Sequence, residues 1–112
     1  MSQLTTHILD TTKGRPATDV AVTLFHQKNG SWELVTKGVT NNDGRIPDLL
    51  PADQLLEHGT YKLLFETASY FQLQGITTFY PFVEIVFSIQ SAEHYHVPLL
   101  LNPYGYSTYR GS

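Results

Sequence analysis

The sequence predicts an all-β protein, a sandwich of about eight short strands with one short helix. Apolar and polar residues alternate with period two along most of the chain, which is the pattern of half-buried strands. Turn-forming Gly, Asn, Asp and Pro residues separate these segments at short intervals. Only residues 68–74 depart from the alternation and have helical spacing instead. With 112 residues and short linkers, the chain is predicted to be a single domain covering 1–112.

The first half of the chain predicts four strands, and they cover residues 4–10, 20–26, 32–40 and 45–48. Turn sequences separate them at residues 13–16, 29–30 and 42–44. Asn29-Gly30 favours a tight hairpin, because both residue types tolerate positive φ. Residues 45–48 are expected to form only a short edge strand, since Pro47 has no N–H to donate.

The second half predicts four more strands, at residues 60–67, 82–89, 94–101 and 104–109. Residues 52–57 are expected to form one helical turn. The short helix at residues 68–74 precedes Gly75, which is a typical C-cap residue. His26 and His58 lie beside turn sequences, so we expect both to be solvated.

Charge and composition exclude several classes of function. Seven Lys and Arg against ten Asp and Glu give a net charge of -3, and the basic residues are scattered, so nucleic acid is excluded as a partner. The absence of Cys excludes disulfides and thiolate chemistry. No apolar run approaches the length of a membrane span, and the first residues do not resemble a secretory signal. A cytoplasmic location is therefore expected. The low charged share of 15% suggests that another subunit covers part of the surface.

His7 is the first candidate for chemistry. On a strand it shares one face with Thr5 and Leu9, while Thr6 and Ile8 point to the other face. Such a histidine is either a packed structural residue or a group directed into a cleft. From the residue pattern alone, the structural interpretation is favoured.

His94 and His96 are two residues apart on a predicted strand, so their side chains share one face. The pair can bind Zn²⁺ if a third ligand arrives from elsewhere, although a polar face near a subunit contact is favoured. Arg45 follows Asp43-Gly44 and can hold planar, oxygen-rich groups. The alternative for Arg45 is a surface ion pair with Asp43 or Asp48. The sequence has neither a Gly-rich phosphate loop nor a G-x-S-x-G nucleophile elbow.

Three segments in this order resemble the 5-hydroxyisourate hydrolases, the transthyretin-related enzymes of urate degradation. They read LTTHILDTTKGRPA at residues 4–17, TNNDGR at 40–45 and HYHVPLLLNPYGYSTYRGS at 94–112. The likeness runs over essentially the whole chain, and the closing YRGS is its most specific part because transthyretin lacks it. The resemblance implies a transthyretin-like sandwich of two four-stranded sheets with one short helix. It also implies a homotetramer, a dimer of dimers with active sites in the channel between the dimers.

The activity implied by the resemblance is hydrolytic opening of the six-membered ring of 5-hydroxyisourate, a step of purine metabolism. The product is 2-oxo-4-hydroxy-4-carboxy-5-ureidoimidazoline, and neither a metal nor an organic cofactor is implied. Matched motif by motif, the implied catalytic residues are His7, Arg45, His96 and Ser112. The implied substrate-binding residues are His7, Arg45 and Tyr109.

These residue types suit amide hydrolysis. Imidazole titrates near neutrality, so we expect His96 to activate water and His7 to handle the substrate proton. Arg45 can hold the carbonyl groups or the developing oxyanion. Tyr109 can hydrogen-bond to the flat ring or form a wall against it. Ser112 offers a hydroxyl and a terminal carboxylate that can orient a neighbouring group.

Strand parity separates the residues of the closing segment. Tyr109 is expected to share a face with Gly111, whereas Arg110 points away into a structural ion pair. Gly111 is expected to bend the chain and redirect Ser112 toward the site.

Two other functions remain open. A transthyretin-like carrier would bind a small aromatic ligand in the same channel without catalysis, although Tyr109 and titratable groups would narrow and polarise that channel. A zinc hydrolase would use His94 and His96 as metal ligands.

Overall fold

Eight strands and one helix follow from the alternating pattern, and they form two four-stranded sheets in the computed structural model, which describes residues 2–112. The strands are β1 Leu4–Asp10, β2 Arg15–Pro16, β3 Ala21–Lys28, β4 Ser31–Val39, β5 Gly59–Phe65, β6 Val83–Ile89, β7 Tyr95–Asn102 and β8 Gly105–Thr108. The helix α1 covers Thr67–Gln72. One sheet has the strand order β2-β1-β7-β8 and the other β4-β3-β5-β6. The predicted sandwich of two four-stranded sheets is confirmed.

The pairing of β1 with β7 is parallel, whereas the other strand pairs are antiparallel. Along β1, buried residues alternate with half-buried ones, so Thr5 and His7 lie on the outer face of the sheet. Thr5 is directly paired with His96 of β7, which is also half-buried. Because paired residues in neighbouring strands point to the same face, His7 and His96 share the outer face of this sheet.

The hydrophobic core lies between the two sheets. Leu24 of β3, Leu63 of β5 and Leu99 of β7 are each 0% exposed, so both sheets contribute to one interior. The helix α1 adds Phe71, and Gly75 ends the helical segment with φ +71 while Ile76 N–H donates to the Phe71 carbonyl at 3.0 Å. The C-cap of α1 is Leu73, and Gly75 lies in the turn that follows, where its positive φ ends the helical path. Within residues 2–112, no helix has the length and apolar character to cross a membrane.

Three local predictions were wrong. Residues 45–48 form no strand, and only Arg45 makes an isolated bridge. Residues 52–57 form a β-turn followed by irregular chain and not a helical turn, since Gln54 N–H donates to the Pro51 carbonyl at 3.2 Å and the Gln3 side chain accepts from Leu56 N–H at 2.8 Å. The end of the predicted 13–16 turn is instead the short strand β2, where Arg15 pairs with Asp10.

His26 was expected to be solvated but is only 8% exposed. Its ring stacks on Tyr61 of β5 with the centroids 4.3 Å apart and the planes at 7°. The two side chains meet because β3 and β5 pair at this position. His58 is exposed, as expected.

Candidate active site

Three distant segments bring His7, Arg45 and His96 together on the outer face of the first sheet. His7 lies on β1 and forms an isolated antiparallel bridge with Arg45. His96 lies on β7, beside Thr5 of β1. The Arg45 charge lowers the pKa of both imidazoles. The site is therefore assembled by pairing between strands and not by one local motif.

A compact turn at residues 41–45 positions Arg45. The Asn41 side-chain oxygen accepts from the N–H of Asp43 at 2.9 Å and from the N–H of Arg45 at 3.1 Å. Gly44 is buried with φ +72, and its carbonyl accepts from Ile8 N–H at 2.9 Å. A Cβ at this position would lie 2.5 Å from the Ile8 carbonyl oxygen, so only glycine fits against β1. The turn thus fixes Arg45 at the edge of the sheet.

The Arg45 side chain is exposed and faces the site without a carboxylate partner in the described part of the chain. The ion pairs between residues 2–112 join Lys28 to Glu57, Lys62 to Glu84 and Arg110 to Glu93. The alternative of a surface ion pair with Asp43 or Asp48 is therefore wrong. An unpaired guanidinium is available for oxygen atoms of a ligand.

The surroundings lower the pKa of both imidazoles and so favour their neutral form. Burial lowers the pKa of His7, and the Arg45 charge lowers it further, while the backbone of Asp43 acts in the opposite direction. Burial also lowers the pKa of His96, and the charges of Arg45, His94 and His7 add to that effect. A neutral imidazole at neutral pH has a free nitrogen lone pair, which a general base requires.

Thr5 contacts both histidines of the H-Y-H segment. Its Oγ1 lies 2.9 Å from His94 Nε2 and 2.8 Å from His96 Nδ1. The two rings are 6.3 Å apart between centroids, with their planes at 17°. With Nδ1 engaged by Thr5, Nε2 is the His96 nitrogen left for a ligand. Sequence reasoning missed this role of Thr5, because only the β1–β7 register places it beside His96.

The zinc alternative requires a third ligand beside His94 and His96. Among residues 2–112, no three or more His, Cys, Asp or Glu side chains gather closely enough to hold a metal ion. The described residues therefore provide no third ligand for the pair.

The closing segment is docked onto the start of β7. Gly111 N–H donates to the His96 carbonyl at 2.8 Å, and a Cβ on Gly111 would lie 2.5 Å from His96 Cδ2. The φ of Gly111 lies outside the left-handed region, so a positive φ is not the reason for a glycine here. Glycine is needed here because the backbone packs directly against the His96 ring.

Arg110 points away from the site, as strand parity predicted. Its guanidinium lies 4.2 Å from the centroid of the Tyr95 ring and its Nη2 lies 2.8 Å from Glu93 Oε1. The same Nη2 donates to the His94 carbonyl at 3.2 Å. Arg110 thus anchors the segment on the side opposite His96.

Tyr109 and Ser112 are mainly exposed and are not packed against His7, Arg45 and His96. Tyr109 is 59% exposed and lines a cavity of about 340 Å³ between the edges of the two sheets, together with Ile85 and Val97. His7, Arg45 and His96 do not line this cavity. Ser112 is exposed and directly follows Gly111, so it lies one residue from the contact with His96.

The cluster suits hydrolysis of a polar, carbonyl-rich ring. A neutral imidazole can take a proton from water, a second can exchange a proton with the substrate, and the guanidinium can stabilise charge on a carbonyl oxygen. These groups stand on two paired strands and a tight turn, which hold them in place.

Comparison with known proteins assigns the fold and its relatives. The family described as "HIUase/Transthyretin family" matches residues 4–111. The chain is 46% identical to 5-hydroxyisourate hydrolase of Mus musculus over 114 residues, covering 99% of this chain and 96% of the relative. The structure of Klebsiella pneumoniae 5-hydroxyisourate hydrolase matches with a TM-score of 0.84 and 40% identity over 100% of this chain and 94% of that one. Sea bream transthyretin in complex with thyroxine matches with a TM-score of 0.91 and 35% identity over 97% and 94%. The chain belongs to the HIUase/Transthyretin family.

Proposed function

We propose that this protein is a 5-hydroxyisourate hydrolase, which opens the six-membered ring of its substrate in urate degradation. The observation that carries the proposal is the meeting of His7, Arg45 and His96 on one sheet face. The names of the mouse and Klebsiella relatives support hydrolysis over the carrier function. A carrier has no need for two neutral imidazoles beside an unpaired guanidinium.

In the proposed reaction, His96 takes a proton from water through Nε2 as the water attacks a ring carbonyl. Arg45 stabilises the negative charge that develops on the carbonyl oxygen. The ring C–N bond then breaks, a carboxyl group forms, and neutral His7 relays to the leaving nitrogen the proton that His96 took from water. The reaction consumes one water and needs neither a cofactor nor a metal.

Two residues of the closing segment complete the proposal. Tyr109 binds the substrate ring by hydrogen bonding or by packing against it. Ser112 contributes its hydroxyl beside His96, because Gly111 holds the segment against that ring. The backbone bond from Gly111 to His96 supports this placement.

We also propose a homotetramer, a dimer of dimers. Several large apolar side chains near the β6 and β8 edges are exposed, namely Phe79, Phe82, Val86, Tyr104 and Tyr106. Such a surface is typical of a face covered by another copy. Light scattering after size exclusion should give a mass of about 50 kDa for four chains of 12.6 kDa. A mass of one chain at micromolar concentration would reject the tetramer.

The decisive assay follows freshly generated 5-hydroxyisourate by absorbance. The wild-type protein should accelerate its loss, and His7→Asn or His96→Asn should each lower kcat/KM by about 100-fold or more. His58→Asn is the matched control, because His58 is exposed and outside the site. A wild-type rate no faster than spontaneous decay would reject the hydrolase and favour the carrier.

A further inference from the structure

A hydroxyl group on β1 connects the two histidines of the H-Y-H segment. Thr5 Oγ1 lies 2.9 Å from His94 Nε2 and 2.8 Å from His96 Nδ1, and both are hydrogen-bond lengths. Neither Thr5 nor His94 has a role in the reaction proposed above. The contact therefore raises the question of which ring receives the hydroxyl proton.

A hydroxyl carries one proton and two lone pairs, so Thr5 can donate to only one neutral ring and otherwise accepts from a ring N–H. In one arrangement, Thr5 donates to His94 Nε2 and accepts from the Nδ1–H of His96. His96 Nε2 then has a free lone pair. In the reverse arrangement, Nε2 of His96 carries the ring proton and cannot act as a base.

The surroundings of His96 favour the first arrangement. The Thr5 backbone also raises the pKa of His96, which is the effect of a backbone carbonyl beside a ring N–H. The Thr5 hydroxyl can also accept from both rings at once, so His96 has its proton on Nδ1 in every arrangement except the reverse one. Burial and the charges of Arg45, His94 and His7 oppose a second proton on the ring.

We infer that Thr5 and His94 are positioning residues that hold His96 in the Nδ1–H tautomer and leave Nε2 free to take a proton. This inference rests on the proposed hydrolase function for its catalytic consequence. The hydrogen bond that one imidazole nitrogen makes determines which nitrogen is protonated. When Nε2 accepts a proton, the Nδ1–H bond to Thr5 remains and stabilises the imidazolium. His94 acts through Thr5 and does not contact the substrate.

The same contacts fix the direction of the lone pair. Thr5 holds Nδ1, and the backbone of Gly111 packs against Cδ2 of the same ring. A ring held on two sides presents Nε2 in one direction, as a preorganised base requires.

Ring ¹⁵N chemical shifts test the tautomer without any substrate. At pH 8, His96 should be in the Nδ1–H form in wild type and in Thr5→Ser, which keeps the hydroxyl. In Thr5→Val, which keeps the β-branched shape, the Nε2–H form should become the main one. An unchanged His96 tautomer in Thr5→Val would overturn the inference.

Kinetics test the catalytic consequence. Thr5→Val should lower kcat about tenfold with KM changed by less than about twofold, and Thr5→Ser should stay near wild type. His94→Gln offers an amide oxygen to the Thr5 hydroxyl and should keep most of kcat, whereas His94→Leu should resemble Thr5→Val. Equal losses in Thr5→Ser and Thr5→Val would indicate packing alone and overturn the inference.

The two proposals fail separately. A wild-type protein that does not hydrolyse 5-hydroxyisourate, with the tautomer changing as expected in Thr5→Val, would reject the proposed function and support the tautomer assignment. An active wild type whose Thr5→Val variant keeps both kcat and the Nδ1–H form would reject the assignment alone. Thermal unfolding midpoints of all variants separate these results from loss of folding.

Discussion

Neutral imidazoles beside a permanent cation are the main chemical feature at the scale of single residues. Burial is the largest cause of the lowered pKa of both His7 and His96, and Arg45 is the second. The same guanidinium that we propose for stabilising an oxyanion therefore also lowers the pKa of the two imidazoles.

The Arg45 effect can be measured by NMR titration of the histidine rings. His7 and His96 should titrate below the ordinary pKa of 6.5. In Arg45→Gln both midpoints should move to higher pH, because removing a positive charge stabilises the imidazolium. The shift should be partial, since burial remains.

Arg15→Gln is the control for that titration, because it removes the same charge from β2. Its His7 and His96 midpoints should match those of wild type. Unchanged midpoints in Arg45→Gln would contradict the assigned cause.

Gly111 provides a second test at this scale. In Gly111→Ala the new Cβ would lie 2.5 Å from His96 Cδ2, so the ring or the closing segment must move. We expect kcat/KM to fall at least tenfold with little change in the unfolding midpoint, because the segment lies at the surface.

Gly105→Ala is the matched variant for Gly111→Ala. A Cβ there has ordinary contacts with Asn102 at 3.6 Å and beyond. Its activity should stay near wild type. Similar activities of the two variants would show that the Gly111 contact does not position His96.

His26 illustrates what a sequence cannot show at this scale. It lies near the Asn29-Gly30 turn, which suggested exposure, but its burial depends on Tyr61 of another strand. Strand parity, by contrast, placed His7 and Arg110 on the correct faces, because parity needs no knowledge of the neighbouring strand.

At the scale of elements, the turn at residues 41–45 takes the place of a neighbouring strand along the middle of β1. β2 pairs with the end of β1 at Leu9 and Asp10, and the turn pairs with its middle at His7 and Ile8. The turn therefore delivers Arg45 to the sheet face without a full strand.

Asn41→Ala should loosen this turn. It removes the acceptor of two N–H groups and should cost about 1 kcal/mol of unfolding free energy, because each bond to an exposed turn contributes modestly. The fall in kcat/KM should be larger than this cost suggests, since Arg45 loses its fixed position. Urea unfolding and steady-state kinetics measure the two effects.

Asn42→Ala makes the same change one residue further along the exposed turn. It should alter neither stability nor kcat/KM. If both variants behave alike, the Asn41 side chain does not position Arg45.

Most elements were predictable, and the exceptions have physical causes. The long strands and the helix carry strong periodic patterns that match their final environment. The strand β2 has only two residues, which is too few to show an alternating pattern of apolar and polar residues. Residues 45–58 form neither a helix nor a strand. They pack against the core through Leu49, Leu50 and Leu56, which are buried. For these residues the tertiary environment, and not local propensity, decides the backbone.

At the scale of the whole molecule, one interior between two sheets supports the site on the outer face. Leu99 of β7 is fully buried three residues from His96. Packing between the sheets thus fixes the strand that carries His96 on the outer face.

Leu99→Ala should lower the unfolding free energy by about 2–5 kcal/mol, because it removes buried methyl groups and leaves a cavity. Leu73→Ala is the control, since Leu73 is 86% exposed and should change stability by less than about 0.5 kcal/mol. Urea unfolding at one fixed protein concentration compares them. Equal stabilities would contradict the assigned core.

The site could be predicted from the sequence only in part. Residue chemistry alone singled out His7, Arg45 and the His94–His96 pair as candidates, but spacing along the chain did not join them. Only the resemblance to a family grouped these residues into one site. The physical basis for the meeting of His7, Arg45 and His96 is the parallel β1–β7 pairing. That pairing links residues such as Thr5 and His96 across most of the chain, which no local pattern encodes.

The parallel pairing also has a consequence for synthesis on the ribosome. β1 leaves the exit tunnel long before β7. The edge of β1 that pairs with β7 therefore has no partner strand while almost all of the remaining chain is made. The His7, Arg45 and His96 cluster can form only after β7 has emerged. Appearance of activity during translation would therefore report completion of the fold, and nascent chains stalled before β7 would carry an exposed strand edge.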